Sequence, residues 1–409
     1  MSLKKKHLVI IGSGFAGFWS AMSAIRQSRY LGKEDQLRIT VINKESYLTI
    51  RPRLYESDLS NTRYSLRYYY EPAGIHFIQG EVRYVNPDKN ELEVVTGEEK
   101  QWLQYDYLVL STGSKVRSTS LQGKAHLFNV DSYNEANRLH LHINKLAGQS
   151  FSSPGSGTFV IIGGGFTGLE VATALQDMLR LELNIPKHQY QIVIADRNKA
   201  IGTQYGTEGQ AYILQVLEDA NICVKTDATL QQVDNDSITF TNGDVIRTQT
   251  CIWTAGFQPN SLAGLLQVSQ NSAGQFRVDS FLKVKNYNNI IAAGDVAIAK
   301  ADEEHEALMS CQFALYQGRW AGHNAVNDLF NEPLLRYAHE NYVTCLDLGS
   351  QAALFTVGWS RQVVYKGMDA KKVKLRINEG ICPLPTLEEN VEASYPQAPS
   401  FNNTFLVRC

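Results

Sequence analysis

The sequence predicts an α/β fold made of two Rossmann-like domains, the second inserted into the first, followed by a small C-terminal region. Two segments support this prediction, because each consists of an apolar strand, a glycine-rich turn, a helix of small residues and a second apolar strand. The first segment covers residues 8–42 and the second covers residues 159–195. Repeated βαβ units of this kind build parallel sheets. A stretch rich in Ser, Gly and Pro at 149–157 marks the entry into the second unit.

Length and composition limit the classes of protein that fit. A chain of 409 residues is too long for one typical core, and 44% hydrophobic with 20% charged residues is ordinary for a globular protein. The formal net charge of -2 argues against nucleic acid as a partner, which requires a basic excess. No apolar stretch approaches the ~20 residues that cross a bilayer. We therefore expect a cytoplasmic protein, either soluble or peripheral on the inner face of a membrane.

The N-terminus imitates a secretory signal peptide, since Lys4–Lys6 precede an apolar stretch that begins at Leu8. Glycines interrupt that stretch within a few residues, so a strand followed by a turn accounts for it better. The six cysteines all lie at or after Cys223 and form no CxxC pair and no metal-type spacing with histidine. They are typical of reduced thiols in a cytosolic protein, and we expect no metal site.

The first glycine-rich turn follows the pattern G-x-G-x-x-G between a strand and a helix: Gly12, Ser13, Gly14, Phe15, Ala16 and Gly17. The first glycine permits a tight turn, the second admits a pyrophosphate to the backbone, and the third lets the helix pack on the strand. Free N–H groups at the helix start then bind the anion. An acid is expected to bind the ribose at the end of the next strand. Asn43, followed by Lys44, occupies that position and is a weaker, neutral partner.

The second turn repeats the pattern as Gly163, Gly164, Gly165, Phe166, Thr167 and Gly168, with Glu170 in the first turn of the helix. Its following strand ends in Asp196, where a carboxylate binds the ribose 2′-hydroxyl of NADH and repels the 2′-phosphate of NADPH. Arg197 could instead receive that phosphate, so both donors stay open, with NADH preferred. Two such patterns in one chain are far more specific than one.

The order of the motifs resembles that of the two-dinucleotide flavoproteins, the superfamily of pyridine nucleotide–disulfide oxidoreductases. Three further segments carry the resemblance. Leu110–Ser114 resembles the segment where the chain leaves the first domain, Trp253–Gly256 resembles its counterpart in the second, and Ala292–Ala297 matches the late G-D motif. The resemblance covers about residues 7–330. It implies that the first domain binds FAD and that the second binds NAD(P)H.

The resemblance also implies domain boundaries and cofactor contacts. The FAD-binding domain comprises 1–118 and 271–330, the NAD domain is inserted at 119–270, and 331–409 form a C-terminal interface or membrane-facing region. The expected FAD contacts beyond the first turn are Asn43, Lys44, Pro52, Val82, Thr112, Gly113, Gly294 and Asp295, the last of which binds the ribityl chain. The expected contacts in the NAD domain are Gly163, Gly165, Phe166, Thr167, Gly168, Asp196 and Gly256.

Within this superfamily the type II NADH:quinone dehydrogenases are the most similar branch. Disulfide reductases need a redox-active cysteine pair, and sulfide:quinone oxidoreductases need a cysteine ahead of the second glycine turn, but no cysteine precedes Cys223. Pro52–Glu56 resembles the flavin-contacting loop of the type II enzymes, and Gly163–Glu170 meets their G-G-G-x-T-G-x-E pattern. Cys311–Gly318 resembles their quinone-site motif A-Q-x-A-x-Q-Q-G, with Cys and Tyr at two departing positions.

By resemblance, Glu170 lies near the nicotinamide, where it orients the ring or relays a proton; by position alone it could cap its helix. A quinone would take the electrons near Gln312 and Gln317. We therefore expect an FAD-dependent NADH dehydrogenase that transfers hydride to FAD and electrons to a quinone. The alternatives are a soluble NAD(P)H reductase of an iron protein, dye or oxygen, and a slow-turnover flavin and NADH sensor. Membrane-surface contact and homodimer formation stay open.

Four further regions carry expectations of local structure. Residues 75–111 alternate apolar and polar positions with turn signals and predict antiparallel strands. Residues 369–378 predict a short basic helix, solvated on the core or, less favoured, facing a membrane. The apolar stripe of that helix is Ala370, Val373 and Ile377. Tyr68–Tyr70 predict aromatic packing rather than ligand stacking, and the proline-containing tail from Cys382 predicts irregular structure on the surface.

Overall fold

The computed structural model describes residues 4–117, 120–260, 266, 270–381, 384 and 386–396. The α-helices of this part of the chain are α1 (Phe15–Tyr30), α2 (Leu66–Tyr70), α3 (Tyr133–Gly148), α4 (Phe166–Asp177), α5 (Gly206–Asp219), α6 (Cys311–Leu329), α7 (Met368–Arg376) and α8 (Leu387–Ala393). None of them combines the length and the apolar character that a membrane span requires.

The first domain is built on a parallel sheet of five strands. In spatial order the strands are Ile290–Ala292, Tyr107–Leu110, Lys6–Ile11, Leu37–Asn43 and His76–Gln79. The outer strand at 290–292 follows the second domain in sequence, so the chain leaves this sheet and later returns to it. The central strand is buried over Leu8–Ile11, which fits the continuous apolar runs of parallel strands that are covered on both faces.

The second domain repeats this arrangement. Its five parallel strands are, in spatial order, Leu127–Phe128, Thr250–Trp253, Thr158–Ile162, Gln191–Ala195 and Ile222–Lys225. An apolar cluster joins this sheet to α3, α4 and α5 through buried side chains such as Leu139, Leu169 and Ile213. The predicted α/β fold with two Rossmann-like domains, one inserted in the other, is confirmed.

Helices α1 and α6 pack closely together in the first domain. Gly318 and Gly322 permit this approach, since an added Cβ would lie 2.4 Å from the Ala16 carbonyl oxygen and 2.1 Å from the Ser20 carbonyl oxygen, respectively. The side chains at a helix contact set the interaxial distance, so glycine allows the shortest one. The same packing brings the start of α6 beside Gly294, where an added Cβ would lie 3.5 Å from the Cβ atom of Ala314.

Antiparallel strands occupy only part of the segment for which the sequence predicts them. Glu81–Asn86, Glu91–Thr96 and Glu99–Gln104 form a three-stranded meander. The prediction is wrong for His76–Gln79 and Tyr107–Leu110, because both strands belong to the parallel sheet. A second meander consists of Leu230–Val233, Ser237–Phe240 and Val245–Arg247. Shorter pairings join Tyr47–Thr49 to Arg63–Ser65, Ser114–Val116 to Phe257–Pro259, and Phe276–Arg277 to Ala297–Ile298.

The C-terminal region contains a third sheet of antiparallel strands, Val343–Asp347, Ala353–Val357 and Gln362–Lys366. Helix α7 packs on this sheet through Ala370 and Val373 of its predicted apolar stripe. The predicted basic helix on the core is confirmed, with Lys372 and Arg376 exposed, but full solvation of its basic side chains is wrong, because Lys371 and Lys374 are buried.

The predicted irregular tail needs a second correction. Thr386 and Glu389 form a reciprocal capping box that starts the short helix α8. A helix of seven residues spans about two turns, so it leaves little apolar periodicity to detect in the sequence. The prolines at 383, 385 and 399 and the residues from 397 onward lie outside the described residues.

Candidate active site

Both glycine-rich turns adopt the geometry that their pattern predicts. Gly12 and Gly163, the first glycine of each turn, have positive φ values of 94° and 109°, which other residues rarely adopt. At the third glycine, an added Cβ on Gly17 would lie 1.9 Å from the Gly12 carbonyl oxygen. The same atom on Gly168 would lie 1.8 Å from the Gly163 carbonyl oxygen. Each helix therefore starts directly against the end of its strand.

The N-termini of α1 and α4 are open to an anion. Gly14 and Gly165 occupy the N-cap positions, and no side chain caps either helix. The first backbone N–H groups consequently stay available for a pyrophosphate, which the positive end of the helix dipole stabilises. An added Cβ on Gly14 or Gly165 would meet nothing within 4 Å, so the space in front of both turns is clear.

The residues expected to bind the two riboses also hold the glycine turns. Asn43 accepts a hydrogen bond from the Ser13 N–H at 2.9 Å, and Asp196 accepts one from the Gly164 N–H at 2.6 Å. The other carboxylate oxygen of Asp196 accepts the Asn198 N–H at 2.8 Å. The two glycine turns thus share one arrangement, with a neutral amide at the first and a carboxylate at the second.

The remaining predicted contacts differ in accessibility. Phe166 exposes 37% of its surface at the start of α4, and Pro52 is half-buried in a short helical turn. Lys44 is exposed, and its ammonium group lies 2.5 Å from the Glu81 carboxylate. Val82 is buried in the apolar cluster of the first meander, so its side chain belongs to the core rather than to a ligand surface.

The two segments where the chain crosses between the domains lie side by side. Ser114–Val116 pairs antiparallel with Phe257–Pro259, and the Thr112 hydroxyl donates to the Asn260 carbonyl at 2.6 Å. Gly113 and Gly256, with φ values of 67° and 84°, turn the chain next to these strands. The connection between the domains is therefore a double strand rather than two independent linkers.

Asp295 of the late G-D motif lies beside this crossing. Its carboxylate accepts a hydrogen bond from the Ser114 hydroxyl at 2.6 Å. Burial raises the pKa of Asp295, and the Arg51 guanidinium opposes that shift. The neighbouring Gly294 N–H donates to the side-chain oxygen of Gln317 at 2.7 Å, so α6 holds this loop in place.

The structure corrects the expected role of Gln317. Its side chain is used by the Gly294 loop and the residue is 1% exposed, so it positions that loop and offers no surface to an acceptor. Gln312, at the start of α6, is partly exposed and donates to the Asn341 carbonyl at 3.0 Å. Tyr316, which departs from the resembled motif, is buried with its ring stacked on His339 at 3.9 Å.

A buried carboxylate lies against a buried ammonium where the domains meet. Glu170 on α4 and Lys374 on α7 are 2.8 Å apart, with side-chain exposures of 4% and 6%. Glu170 also accepts the backbone N–H of Asp347 at 3.1 Å. Burial raises the pKa of Glu170 to about 7, although Lys374 acts in the opposite direction. Because the carboxylate bonds to other elements and no side chain caps α4, capping is the wrong explanation of this residue.

A second buried ion pair adjoins the first. The Lys371 ammonium lies 2.6 Å from one oxygen of Asp347, and the Tyr55 hydroxyl donates to the other oxygen at 2.7 Å. Burial raises the pKa of Tyr55 well above its usual range, and the carboxylates of Glu170 and Asp347 raise it further. Tyr55 therefore stays a neutral phenol that donates a hydrogen bond to Asp347.

Asn378 joins the C-terminal region to the Pro52–Glu56 loop of the first domain. Its amide donates to the Glu56 carboxylate at 2.8 Å. That carboxylate also forms an ion pair of 2.8 Å with Arg53, in which the guanidinium makes several hydrogen bonds. The C-terminal region is consequently part of the site, because it contacts the predicted flavin loop and the second glycine helix at once.

Sequence reasoning missed the polar face of α7. Lys371 and Lys374 of α7, and Asn378 two residues beyond its end, follow the spacing i, i+3 and i+7, which places them on one face of the helical segment. Lysines are almost never fully buried unless they are paired, so the sequence favours solvent for them. The signal that would have located this face is the pairing with Asp347, 24 residues from Lys371, and with Glu170, 204 residues from Lys374.

The fold and the site together define an oxidoreductase with two dinucleotide sites. The parts of this site are the two open glycine turns, the Asp295 loop and a buried glutamate next to the second turn. The family model of the pyridine nucleotide-disulphide oxidoreductases matches residues 6–318. The chain therefore belongs to this family, as the order of its motifs indicates.

Relatives and solved structures agree with this assignment. An NADH dehydrogenase-like protein of Mycobacterium tuberculosis is 37% identical over 374 residues, which is 91% of this chain and 92% of the relative. A type II NADH:quinone oxidoreductase of Staphylococcus aureus is 22% identical over 86% of this chain and 89% of its own length. The structure of NDH2 from Plasmodium falciparum in complex with NADH has a TM-score of 0.78 at 16% identity, covering 97% of this chain and 99% of that one. The protein is thus an NADH dehydrogenase-like flavoprotein oxidoreductase.

Proposed function

We propose that the protein is an FAD-dependent NADH dehydrogenase that transfers hydride from NADH to FAD and then electrons to a quinone. One observation carries this proposal. Glu170, on α4 after the second glycine turn, accepts the backbone N–H of Asp347, whose carboxylate in turn accepts the hydroxyl of Tyr55. Tyr55 belongs to the predicted flavin-contacting loop, so this short chain of hydrogen bonds joins that loop to the helix of the second glycine turn.

The first turn and the Asp295 loop are the residues that would hold FAD. The fit is supported by the uncapped start of α1 and by the clear space in front of Gly14. Asn43 supplies an amide at the ribose position, and Asp295 supplies a carboxylate near the domain crossing. When bound, FAD provides a ring that accepts a hydride and releases electrons to a second substrate.

The second turn would bind the nicotinamide cofactor, with Asp196 at the ribose. The negative charge of Asp196 favours the 2′-hydroxyl of NADH over the 2′-phosphate of NADPH, whereas the exposed Arg197 could bind that phosphate. We expect Arg197→Ala to lower kcat/KM for NADPH while leaving kcat/KM for NADH unchanged. Initial rates with each donor test this, and an equal loss with both donors would refute a role in phosphate binding.

Glu170 and Lys374 supply proton chemistry and charge beside the hydride path. A carboxyl group whose pKa is about 7 is populated in both ionisation states at neutral pH, so Glu170 both accepts and donates a proton efficiently. Lys374 keeps a positive charge next to it and stabilises the ionised form. Phe166 and Tyr55 each have a ring within 6 Å of the Lys374 ammonium, at 5.7 and 5.4 Å, and shield the pair from water.

The accessible start of α6 supports a small acceptor such as a quinone, because Cys311 and Gln312 are the partly exposed residues of the resembled quinone motif. Relatives named for quinone reduction include the Staphylococcus aureus enzyme and a demethylphylloquinone reductase of Synechocystis, which is 24% identical over 367 residues. One relative supports a protein acceptor instead, an NADH-rubredoxin oxidoreductase of Clostridium acetobutylicum that is 25% identical over 363 residues.

Anaerobic mixing of the purified yellow protein with NADH or NADPH tests the proposal. We expect NADH to bleach the flavin and a short-chain quinone to restore the colour rapidly. Faster return of colour with rubredoxin than with quinone would favour the protein acceptor, and slow bleaching with a long-lived NAD complex would favour a sensor. A colourless protein that refuses added FAD, or a flavin that neither nucleotide reduces, would refute the proposal.

Contact with a membrane surface and homodimer formation stay predictions. A lipid-soluble quinone is reached most directly by a protein bound at the membrane surface. Co-sedimentation with liposomes that contain a quinone tests the first prediction, and light scattering of the FAD-loaded protein tests the second.

A further inference from the structure

Asp347 and Lys371 form an ion pair beside Glu170, and hydride transfer does not require this second pair. Two carboxylates and two ammonium groups meet there, the carboxylates from α4 and the third sheet and the ammonium groups from α7. Asp347 donates its backbone N–H to Glu170, so the two ion pairs are directly linked. The side chains of both pairs are between 4% and 11% exposed, which makes the group of four charges a single buried unit.

We propose that the Asp347–Lys371 ion pair sets the ionisation state of Glu170, which makes Asp347 and Lys371 positioning residues of the active site. The proposal rests on the proposed function, in which Glu170 accepts and donates a proton. It concerns the charge balance around that carboxyl group and not a contact with either cofactor.

The electrostatic argument follows from the sign of each charge. The negative Asp347 disfavours ionisation of Glu170, and the positive Lys371 counteracts this by neutralising Asp347. Charges inside a protein interact more strongly than in water, so the loss of either one alters the field at Glu170. Stability gives a poor explanation of the second pair, since apolar residues of similar size often replace a buried ion pair without loss.

The other titratable groups that face Glu170 are neutral near pH 7. Burial raises the pKa values of Tyr55, Tyr205 and Cys345 above their usual ranges, that of Cys345 to about 12. Arg361 lies beyond Tyr205, with its guanidinium 5.0 Å from the tyrosine ring. The charges next to Glu170 in the described part of the chain are therefore those of Lys374, Asp347 and Lys371.

A pH titration of the FAD-loaded, oxidised protein by infrared difference spectroscopy measures this ionisation directly. The C=O stretch of a protonated carboxyl group disappears as the group ionises, and the band of Glu170 is identified by its loss in Glu170→Gln. This readout needs no NADH and no turnover. In the unmodified protein we expect the midpoint near pH 7, where burial places the pKa of Glu170.

Asp347→Asn and Lys371→Met should move the midpoint in opposite directions. Removal of the carboxylate makes Glu170 easier to ionise, so the midpoint falls; removal of the ammonium makes it harder, so the midpoint rises. We expect each shift to be roughly one pH unit. Because the double variant keeps the charge balanced, its midpoint should return toward that of the unmodified protein. Folding of each variant is checked by FAD content and near-UV circular dichroism, with Lys371→Gln as a second neutral replacement.

Lys372→Met is the matched control. Lys372 is the next residue of α7, and its ion pair with Asp369 is 3.0 Å long but exposed, with side-chain exposures of 70% and 72%. Solvent screens such a pair, so this variant should leave the midpoint unchanged. A control that shifted the midpoint as much as Lys371→Met would overturn the assignment to the buried pair.

The outcomes separate this inference from the proposed function. An unmoved midpoint, or shifts in the same direction for Asp347→Asn and Lys371→Met, would overturn the inference, since a merely structural pair would lower stability without a sign-dependent shift. The rate of flavin reduction by NADH is then measured across the same pH range. Opposite infrared shifts, combined with a rate of flavin reduction that does not depend on the ionisation of Glu170, would uphold the inference and refute the proton role of Glu170.

Discussion

Single glycines decide whether the two nucleotide sites form at all. Gly17 and Gly168 hold equivalent positions, and an added Cβ at either one would collide with a backbone oxygen less than 2 Å away. Backbone atoms cannot move aside as the end of a flexible side chain can. The geometry of each turn therefore requires glycine, which has no Cβ. We expect alanine at either position to disrupt only the nucleotide site of that turn.

Gly168→Ala should lower the rate of flavin reduction by NADH by about 100-fold, because a displaced turn misplaces the nicotinamide. The FAD content of the purified protein should not change. Gly17→Ala is the mirror control, since it carries the same change in the first turn and should abolish FAD retention instead. Equal loss of FAD in both variants would show that the two turns do not serve separate nucleotides.

The buried ion pair of Glu170 and Lys374 makes a second prediction at the scale of residues. Lys374→Met leaves a carboxylate without its cation in a site that is 4% exposed, and such a break costs about 3–5 kcal/mol of unfolding free energy. Urea denaturation of the FAD-loaded protein measures the loss. The double variant Glu170→Gln, Lys374→Met should recover part of this loss. A loss in the double variant equal to the sum of the losses in the two single variants would contradict direct coupling.

The pH dependence of stability follows from the same pair. The pKa of Glu170 is raised from its usual 4.5 to about 7 in the folded protein, so between these values the folded state binds more protons than the unfolded state. The contribution of Glu170 to stability is therefore largest below pH 4.5 and is lost as pH rises through 7. Glu170→Gln should reduce the change of the urea midpoint with pH across this window. An unchanged pH dependence would refute the assignment of this effect to Glu170.

At the scale of elements, the close packing of α1 and α6 positions two parts of the first nucleotide site, the glycine turn and the Gly294 loop. Helix α1 starts at the first glycine turn, and α6 carries Gln317, which bonds the Gly294 loop. Glycine at the contact positions brings the two helices together. The loop that presents Asp295 is thus positioned by helix packing rather than by its own sequence.

Gly322→Ala should lower the unfolding free energy by about 3 kcal/mol, because the new methyl group would lie 2.1 Å from the Ser20 carbonyl oxygen. It should also weaken FAD retention. Gly148→Ala at the end of α3 is the control, since its Cβ would meet nothing within 4 Å and should change stability by less than about 1 kcal/mol. Similar effects of the two variants in urea denaturation would contradict the packing argument.

The sequence predicts most of the fold, because each nucleotide-binding unit is local. Strand, turn, helix and second strand follow one another within about 35 residues, and the glycine pattern links them. The C-terminal contribution escaped prediction for the opposite reason. Lys371 and Lys374 are interpretable only beside Asp347 and Glu170, and Glu170 lies about 200 residues away from them in sequence. The helix α8 also escaped, since seven residues carry too little periodicity.

At the scale of the whole molecule, three parts of the chain assemble one site. The first domain contributes the Asp295 loop and Tyr55, the second contributes Glu170, and the C-terminal region contributes Asp347 and Lys374. The double strand at the domain crossing and the buried charges fasten these parts together. Under the proposed function, a nicotinamide bound at the second turn would lie against a flavin bound at the first.

The most direct measurement is stopped-flow reduction of the FAD-loaded protein, without oxygen, by NADH that carries deuterium at C4 of the nicotinamide. Direct transfer between stacked rings predicts a primary isotope effect on flavin bleaching for one C4 stereoisomer and none for the other. Flavin reduction with no isotope effect for either stereoisomer, or no reduction by NADH at all, would contradict the placement of the two rings.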